Sequence, residues 1–158
     1  MTLLRRFLVL QFLMLWQGGF LFYAGVVVPI GTEVLGGKFQ QGRITRFVTV
    51  QMNVIGAIAL ALFAWEILCT PASRSLKRVL AGSWLVMAIA LTALFLLHPR
   101  MVEMVDVDNM AFIGSSADFH VLHRTYLWVS TFQWIAGLVF AFALVVSWRR
   151  EANAKRTC

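Results

Sequence analysis

The three histidines, His98, His120 and His123, fall in one stretch of the chain, and soft and hard donors lie among them: Met101, Glu103, Met104, Asp106, Asp108, Met110 and Asp118. Thioether with imidazole is a donor set for copper(I), whereas imidazole with carboxylate suits zinc or a harder divalent ion. His120 and His123 are three residues apart and so share one face of a helix. His98 and His123 come at similar depth, so two imidazoles could also flank a haem. The candidate metal set is therefore His98, Met101, Met104, His120 and His123, with the three histidines as the candidate cofactor ligands. The bland reading is weighed beside it. No spacing here is an established ligand motif, and methionine at helical intervals is usually apolar filling.

Catalytic patterns are scarcer. The chain has no Ser-His-Asp order with a nucleophile elbow, no paired carboxylates inside its apolar runs and no glycine-rich phosphate loop. Asp118 and His123 are five apart and point to different sides of a helix. The residues read as those of a non-enzyme.

The elements that must position these groups are four apolar runs, at about residues 7–30, 47–69, 79–98 and 121–148. Each is near the ~20 residues that a helix needs to cross about 30 Å of hydrocarbon. Of the 158 residues, 60% are hydrophobic and 13% charged, more apolar surface than one soluble core of this size can hide. The expected fold is all-α: one integral membrane four-helix bundle spanning 1–158. The first run begins after Arg5 and Arg6 but is too long for a signal-peptide core and lacks a small-x-small cleavage site, so it reads as a retained span. The two cysteines, Cys69 and Cys158, form no CxxC or zinc spacing.

Charge sets the expected orientation. Arg5, Arg6, Arg74, Lys77, Arg78, Arg149, Arg150, Lys155 and Arg156 fall on one side of the spans. Only Lys38, Arg43, Arg46, Arg100 and Arg124 fall on the other, together with Glu33, Glu103, Asp106, Asp108 and Asp118. The positive-inside rule then places both termini and the 70–78 loop on the cytoplasmic side, and the 31–46 and 99–120 loops on the opposite side of the membrane. The net charge of +7 is explained by basic flanks against lipid headgroups. Without a basic stripe interleaved with stacking aromatics, no nucleic-acid partner is expected.

Several local features follow. Gly36 and Gly37 suit a turn, and Ser115 with Asp118 fits a capping box that starts a helix near Ser116. Pro99 disfavours continuing the third helix through it, and the loose alternation over 101–113 predicts a short helix lying at the membrane surface. Trp84, Trp128 and Trp148 suit interfacial anchors. Helix association should rest on small residues and polar pairs, because lipid is as apolar as leucine. The small residues are Gly18, Gly19, Ala24 and Gly25, then Gly56, Ala57, Ala61 and Ala64, then Ala81, Gly82, Ala88 and Ala90, then Ala136, Gly137, Ala141 and Ala143. Gln17, Gln51, Asn53 and Gln133 form an intramembrane polar layer expected to face inward and pair, either as packing glue or as a solute path. Glu66, near the inner end of its span, is expected to snorkel toward the basic inner loop.

Several of these stretches resemble a known family. Gly18-Gly19-Phe20-Leu21-Phe22 followed by Val26-Val27-Val28-Pro29, the Gly42-Arg43 step, Pro99-Arg100-Met101, and Phe119 with Leu122-His123-Arg124 are similar to signatures of a bacterial four-helix membrane family whose eukaryotic relatives are the transmembrane protein 205-like proteins. Gln133 and Gly137 also match. That family favours a small or hydroxyl residue after the histidine, where this chain has Thr125-Tyr126. The resemblance implies a four-helix membrane fold and brings no reaction with it. A fainter similarity, to four- and five-helix proteins that handle haem precursors or copper, lacks its early histidine here, where Gln11 and Gln17 stand instead.

Together these readings lead to a non-catalytic accessory or scaffold subunit, held in the lipid bilayer and packing against other integral membrane subunits or itself. The alternatives are a copper- or haem-handling membrane protein and a small-solute channel or transporter.

Overall fold

A computed structural model describes residues 2–106 and 109–154. Asp108, Lys155, Arg156 and Cys158 lie outside the described residues. Four long helices dominate: α1 (Leu3–Val34), α2 (Lys38–Cys69), α3 (Arg74–Glu103) and α4 (Ser116–Ala154), each long and apolar enough to cross a membrane. They are rich in leucine, alanine and other residues with little aversion to the helix, and they satisfy their own backbone polar groups along most of their length.

The turns follow local chemistry. α1 stops where Gly36 takes the left-handed conformation, at φ 75°, while the Leu35 N–H donates to the Gly31 carbonyl at 2.9 Å. α2 ends with the Thr70 N–H on the Glu66 carbonyl at 2.9 Å, and Pro71 blocks continuation. α4 starts at Ser116, where the Asp118 N–H donates to the Ser115 hydroxyl at 3.4 Å. That is one half of the expected capping box.

The connection from α3 to α4 departs from expectation twice. α3 runs through Pro99 to Glu103. The carbonyl that Pro99 deprives of a donor is that of Phe95, an exposed residue near the helix end, where a lost bond disturbs little packing. The expected surface helix is instead a hairpin. β1 (Val105–Asp106) pairs antiparallel with β2 (Ala111–Phe112), Val105 opposite Phe112. Asp106 fixes the turn by accepting from the Asn109 N–H at 3.0 Å and from the Asn109 amide at 2.8 Å. Met110 (φ 51°) and Gly114 (φ 89°) take left-handed conformations, which no helix through them would permit.

α3 lies along α4 in the most extensive contact, α2 packs on α3, and α1 packs on α2. An ion pair between Arg6 and Glu151 brings the start of α1 to the end of α4, so both chain ends of the bundle share one pole. The core is aromatic at its centre. Trp16 tilts against Phe63 at 6.4 Å between ring centroids, and Phe63 stacks on Phe140 at 4.7 Å, joining α1, α2 and α4. Trp84 donates its indole N–H to the Leu60 carbonyl at 2.8 Å, so it ties α3 to α2.

Close approach is made by two of the small residues. A Cβ on Gly56 would come within 2.6 Å of the Trp16 ring, and one on Gly137 within 2.0 Å of the Gln17 amide. Other small residues named from sequence, among them Gly18, Gly25, Ala61 and Gly82, face outward. Two wide π-helical turns in α1, Met14–Gly18 and Tyr23–Val27, accompany this contact pattern. Neighbouring residues stand roughly 100° apart on an α-helix, and in the first wide turn Trp16 meets α2 while Gln17 meets α4.

Gly56→Ala should destabilise the bundle by about 1–3 kcal/mol, because the buried Trp16 ring has nowhere to retreat. Gly82→Ala, with open space around it, should leave stability unchanged or raise it by up to about 1 kcal/mol. Reversible unfolding in mixed micelles measures both; equal effects at the two positions would contradict this packing.

Candidate functional site

Polar chemistry collects at three levels of the bundle. At the pole holding the chain ends, the Glu66 carboxylate is completely buried. Arg5 donates to one of its oxygens. The other oxygen accepts from the Thr70 hydroxyl at 2.6 Å and from the Trp148 indole N–H at 2.8 Å. Arg6 lies over the Trp148 ring at 5.1 Å and donates to Glu151. Residues one turn apart on α2 (Glu66, Thr70), adjacent on α1 (Arg5, Arg6) and three apart on α4 (Trp148, Glu151) thus interlock. Glu66 does not reach Arg74, Lys77 or Arg78 of the basic 70–78 loop: burial is compensated by Arg5 and by two neutral donors, Thr70 and Trp148, from three different segments. Charge-assisted bonds of this kind are the strong ones. Sequence reasoning missed the cluster because Arg5 and Glu66 are 61 positions apart. The available signal was that Glu66 is the one carboxylate inside an apolar run.

At mid-depth the four amide residues do not form one layer. Asn53 is buried and hydrogen-bonds the Tyr126 hydroxyl. Gln133 is buried and donates to the Met87 carbonyl at 3.3 Å. Gln17 is half-buried against Gly137. Gln51 faces outward and pairs with none of them, because its neighbour Asn53 occupies the inward arc of that turn. Gln17 and Gln133 do meet at one small cavity of about 10 Å³, lined also by Trp16, Phe20, Ser130 and Trp134. That volume is about one water molecule's probe sphere.

Nearer the pole opposite the chain ends lies a polar knot that the sequence reading did not single out. The Tyr23 hydroxyl donates to Thr45 Oγ1 at 2.9 Å, and Thr45 donates to the Gln41 carbonyl at 2.9 Å. Gln41 is buried, its amide nitrogen on Tyr23 at 3.4 Å. Its Oε1 has no N–H or O–H donor among the described residues; a Cβ on Gly31 would fall 1.9 Å from it, so the Gly31 Cα–H points at that oxygen. A Cα–H contact is a weak substitute for a full hydrogen bond, and only glycine leaves room for it.

The histidines part company. His123 stacks on Phe119 at 5.8 Å with the rings 9° apart, and His120 meets Phe119 and Phe112 edge-on at 5.9 Å. Phe39 on α2 closes this aromatic cluster against Phe112 at 5.3 Å. His98 instead hydrogen-bonds the Arg46 backbone. Among the described residues no three His, Cys, Asp or Glu side chains converge as a metal-binding group, so His98, His120 and His123 are not brought together as three ligands. Met101 is half-buried, Met104 lines an outer cavity, and Met110 Sδ accepts from the Gln40 amide at 3.4 Å. Of the three candidate tryptophan anchors, Trp84 and Trp148 each hydrogen-bond a neighbouring helix, and Trp128 is exposed.

Searches against protein-family models, curated proteins and solved structures found no match to this chain.

Arg5→Met leaves Glu66 buried without its cation and should destabilise the bundle by about 3–5 kcal/mol. Arg5→Met combined with Glu66→Met should lose clearly less than the sum of the single changes, because the stranded charge is gone. A double-mutant cycle on unfolding in micelles reads the coupling; strict additivity would show that the pair does not act as one.

Proposed function

We propose that this chain is a multi-pass protein of a bacterial inner membrane, with both termini cytoplasmic, that acts without catalysis as an accessory or scaffold element packing against other membrane subunits or a second copy of itself. The observation that carries the reading is the open face of α1. Only 6% of its most apolar window is buried, against 39% in α4. Gly18 and Gly25, seven apart, face outward with nothing within 4 Å of the position a Cβ would take. Around them Met14, Leu21 and Phe22 are exposed. Small residues on an exposed helix face let another helix approach closely in lipid, where shape and dispersion drive association.

Other features support the same reading. Each helix exposes large apolar side chains, with Phe22, Phe47, Ile89 and Phe142, one on each, at least 60% exposed, as a bilayer permits and water does not. The pole with the chain ends carries the excess of Lys and Arg. The aromatic core fills the centre, and the small polar cavity beside Gln17 and Gln133 is of water size, which favours packing over transport. The motif resemblance to transmembrane protein 205-like proteins supports a four-helix membrane element of this kind.

Native mass spectrometry from mild detergent should show the chain in an assembly larger than a monomer. Gly18→Leu with Gly25→Leu should break that assembly while leaving the unfolding midpoint unchanged, since neither position touches the core. A wild-type protein that runs only as a monomer overturns the proposal. Orientation is tested separately in spheroplasts with Cys69→Ser and Cys158→Ser as background: Asn109→Cys should react with a membrane-impermeant maleimide and Ser75→Cys should not. The opposite pattern inverts the topology.

A further inference from the structure

At the outer end a cavity of about 480 Å³ opens between the last turn of α3 and the first turns of α4. Arg100, Glu103 and Met104 line it from α3, and Asp118, Val121, Leu122 and Thr125 from α4. Its size is that of a small-molecule site rather than a packing defect. Its composition is unusual for this chain: one guanidinium and two carboxylates share a wall with a thioether and two branched apolar side chains.

These charges are not spent on one another. Among the described residues the two ion pairs are Arg5 with Glu66 and Arg6 with Glu151, at the opposite pole. Arg100, Glu103 and Asp118 are exposed and have no ion-pair partner within 4 Å among the described residues. Thr125 donates its hydroxyl proton to the Val121 carbonyl at 3.0 Å, which leaves the hydroxyl oxygen facing outward as an acceptor. The cavity therefore offers one fork of N–H donors for a phosphate, three acceptor groups for an ammonium, and an apolar floor. It sits where the apolar run of α4 begins, so the apolar and charged walls meet at the level of a membrane interface.

We propose that this cavity is a binding site for a phospholipid with a primary-amine zwitterionic headgroup, an aminophospholipid such as phosphatidylethanolamine. Arg100 takes the phosphate, Glu103 and Asp118 take the ammonium with Thr125 as a further acceptor, and Met104, Val121 and Leu122 receive the start of an acyl chain. An anionic phospholipid has no cation for the two acids and meets repulsion there. A quaternary ammonium lacks the N–H donors that the carboxylates and Thr125 would accept. The inference rests on the membrane placement proposed above but not on the scaffold role.

The test uses the full chain reconstituted in nanodiscs of mixed phosphatidylethanolamine, phosphatidylglycerol and phosphatidylcholine, followed by native mass spectrometry of lipids retained on release. Phosphatidylethanolamine should be retained about fivefold over either competitor, the scale of an exposed ion pair. Glu103→Gln with Asp118→Asn should abolish that preference, Arg100→Gln should lower retention of all three lipids, and Glu33→Gln, an exposed acid outside the cavity, should change nothing. Equal retention of the three lipids, a preference for phosphatidylglycerol, or a preference untouched by the cavity variants overturns the proposal. Displacement by free O-phosphoethanolamine at equal concentration would assign the site to a soluble headgroup and overturn the lipid. Failure of the chain to enter nanodiscs at all would instead strike the membrane reading, which keeps the two distinguishable.

Discussion

The buried carboxylate of Glu66 is the constraint around which the bundle is organised. A side chain with no exposure cannot remain ionised without compensation, and Arg5, Thr70 and Trp148 supply it from α1, from the end of α2 and from α4. None of these partners is optional once Glu66 is inside. Their convergence sets the depth of α1 relative to α2 and turns the Trp148 ring so that its edge serves Glu66 and its face receives Arg6. Apolar burial could not do this. Helices that are apolar on every side offer many similar packings as one slides past another, whereas a charge-assisted bond is lost within an ångström or two.

The rest of the packing reads as a sequence of such register marks at successive depths. Trp16 seats on Gly56, Gln17 on Gly137, and Gly31 closes over Gln41, in each case because glycine removes the atom that would collide. Between these marks α1 contributes little buried surface. It is a helix attached by a few specific contacts rather than by a continuous seam, and its opposite face remains open. α3 and α4, by contrast, share the most extensive contact, and a cavity lined by Arg100, Glu103 and Asp118 opens between them at the end opposite the chain termini. The molecule thus presents two different surfaces: an uncharged glycine-bearing face on α1 and a charged amphipathic recess between α3 and α4.

Much of the architecture was legible in composition and spacing. Four apolar runs became four helices, the Gly36-Gly37 turn stands where it was read, and Ser115 starts α4. What escaped was chemistry that depends on unlike segments meeting. The 101–113 stretch has the mixed polarity of an amphipathic helix, yet the Asp106–Asn109 turn and the left-handed Met110 make it a hairpin, because local side-chain bonding to the backbone won over a weak period. The histidines looked like one set because they are near in sequence. His98 is drawn to the Arg46 backbone on α2, while His120 and His123 are held by Phe112 and Phe119.

Sequence alone determined that there are four long apolar helices, roughly where each lies, and which end of the bundle is basic, since those depend on runs of residue type; the ends were less legible, α2 beginning at Lys38, nine residues before its apolar run, and α3 passing through Pro99 to Glu103. It did not determine which face of any helix turns inward. All four are apolar around most of their circumference, so the usual contrast between a greasy and a polar side carries no signal. Gln51 outward and Asn53 inward, Gly18 open and Gly56 covered, Glu66 locked instead of reaching for water: each was settled by shape and hydrogen bonding between helices. Those interactions exist only once the helices are side by side.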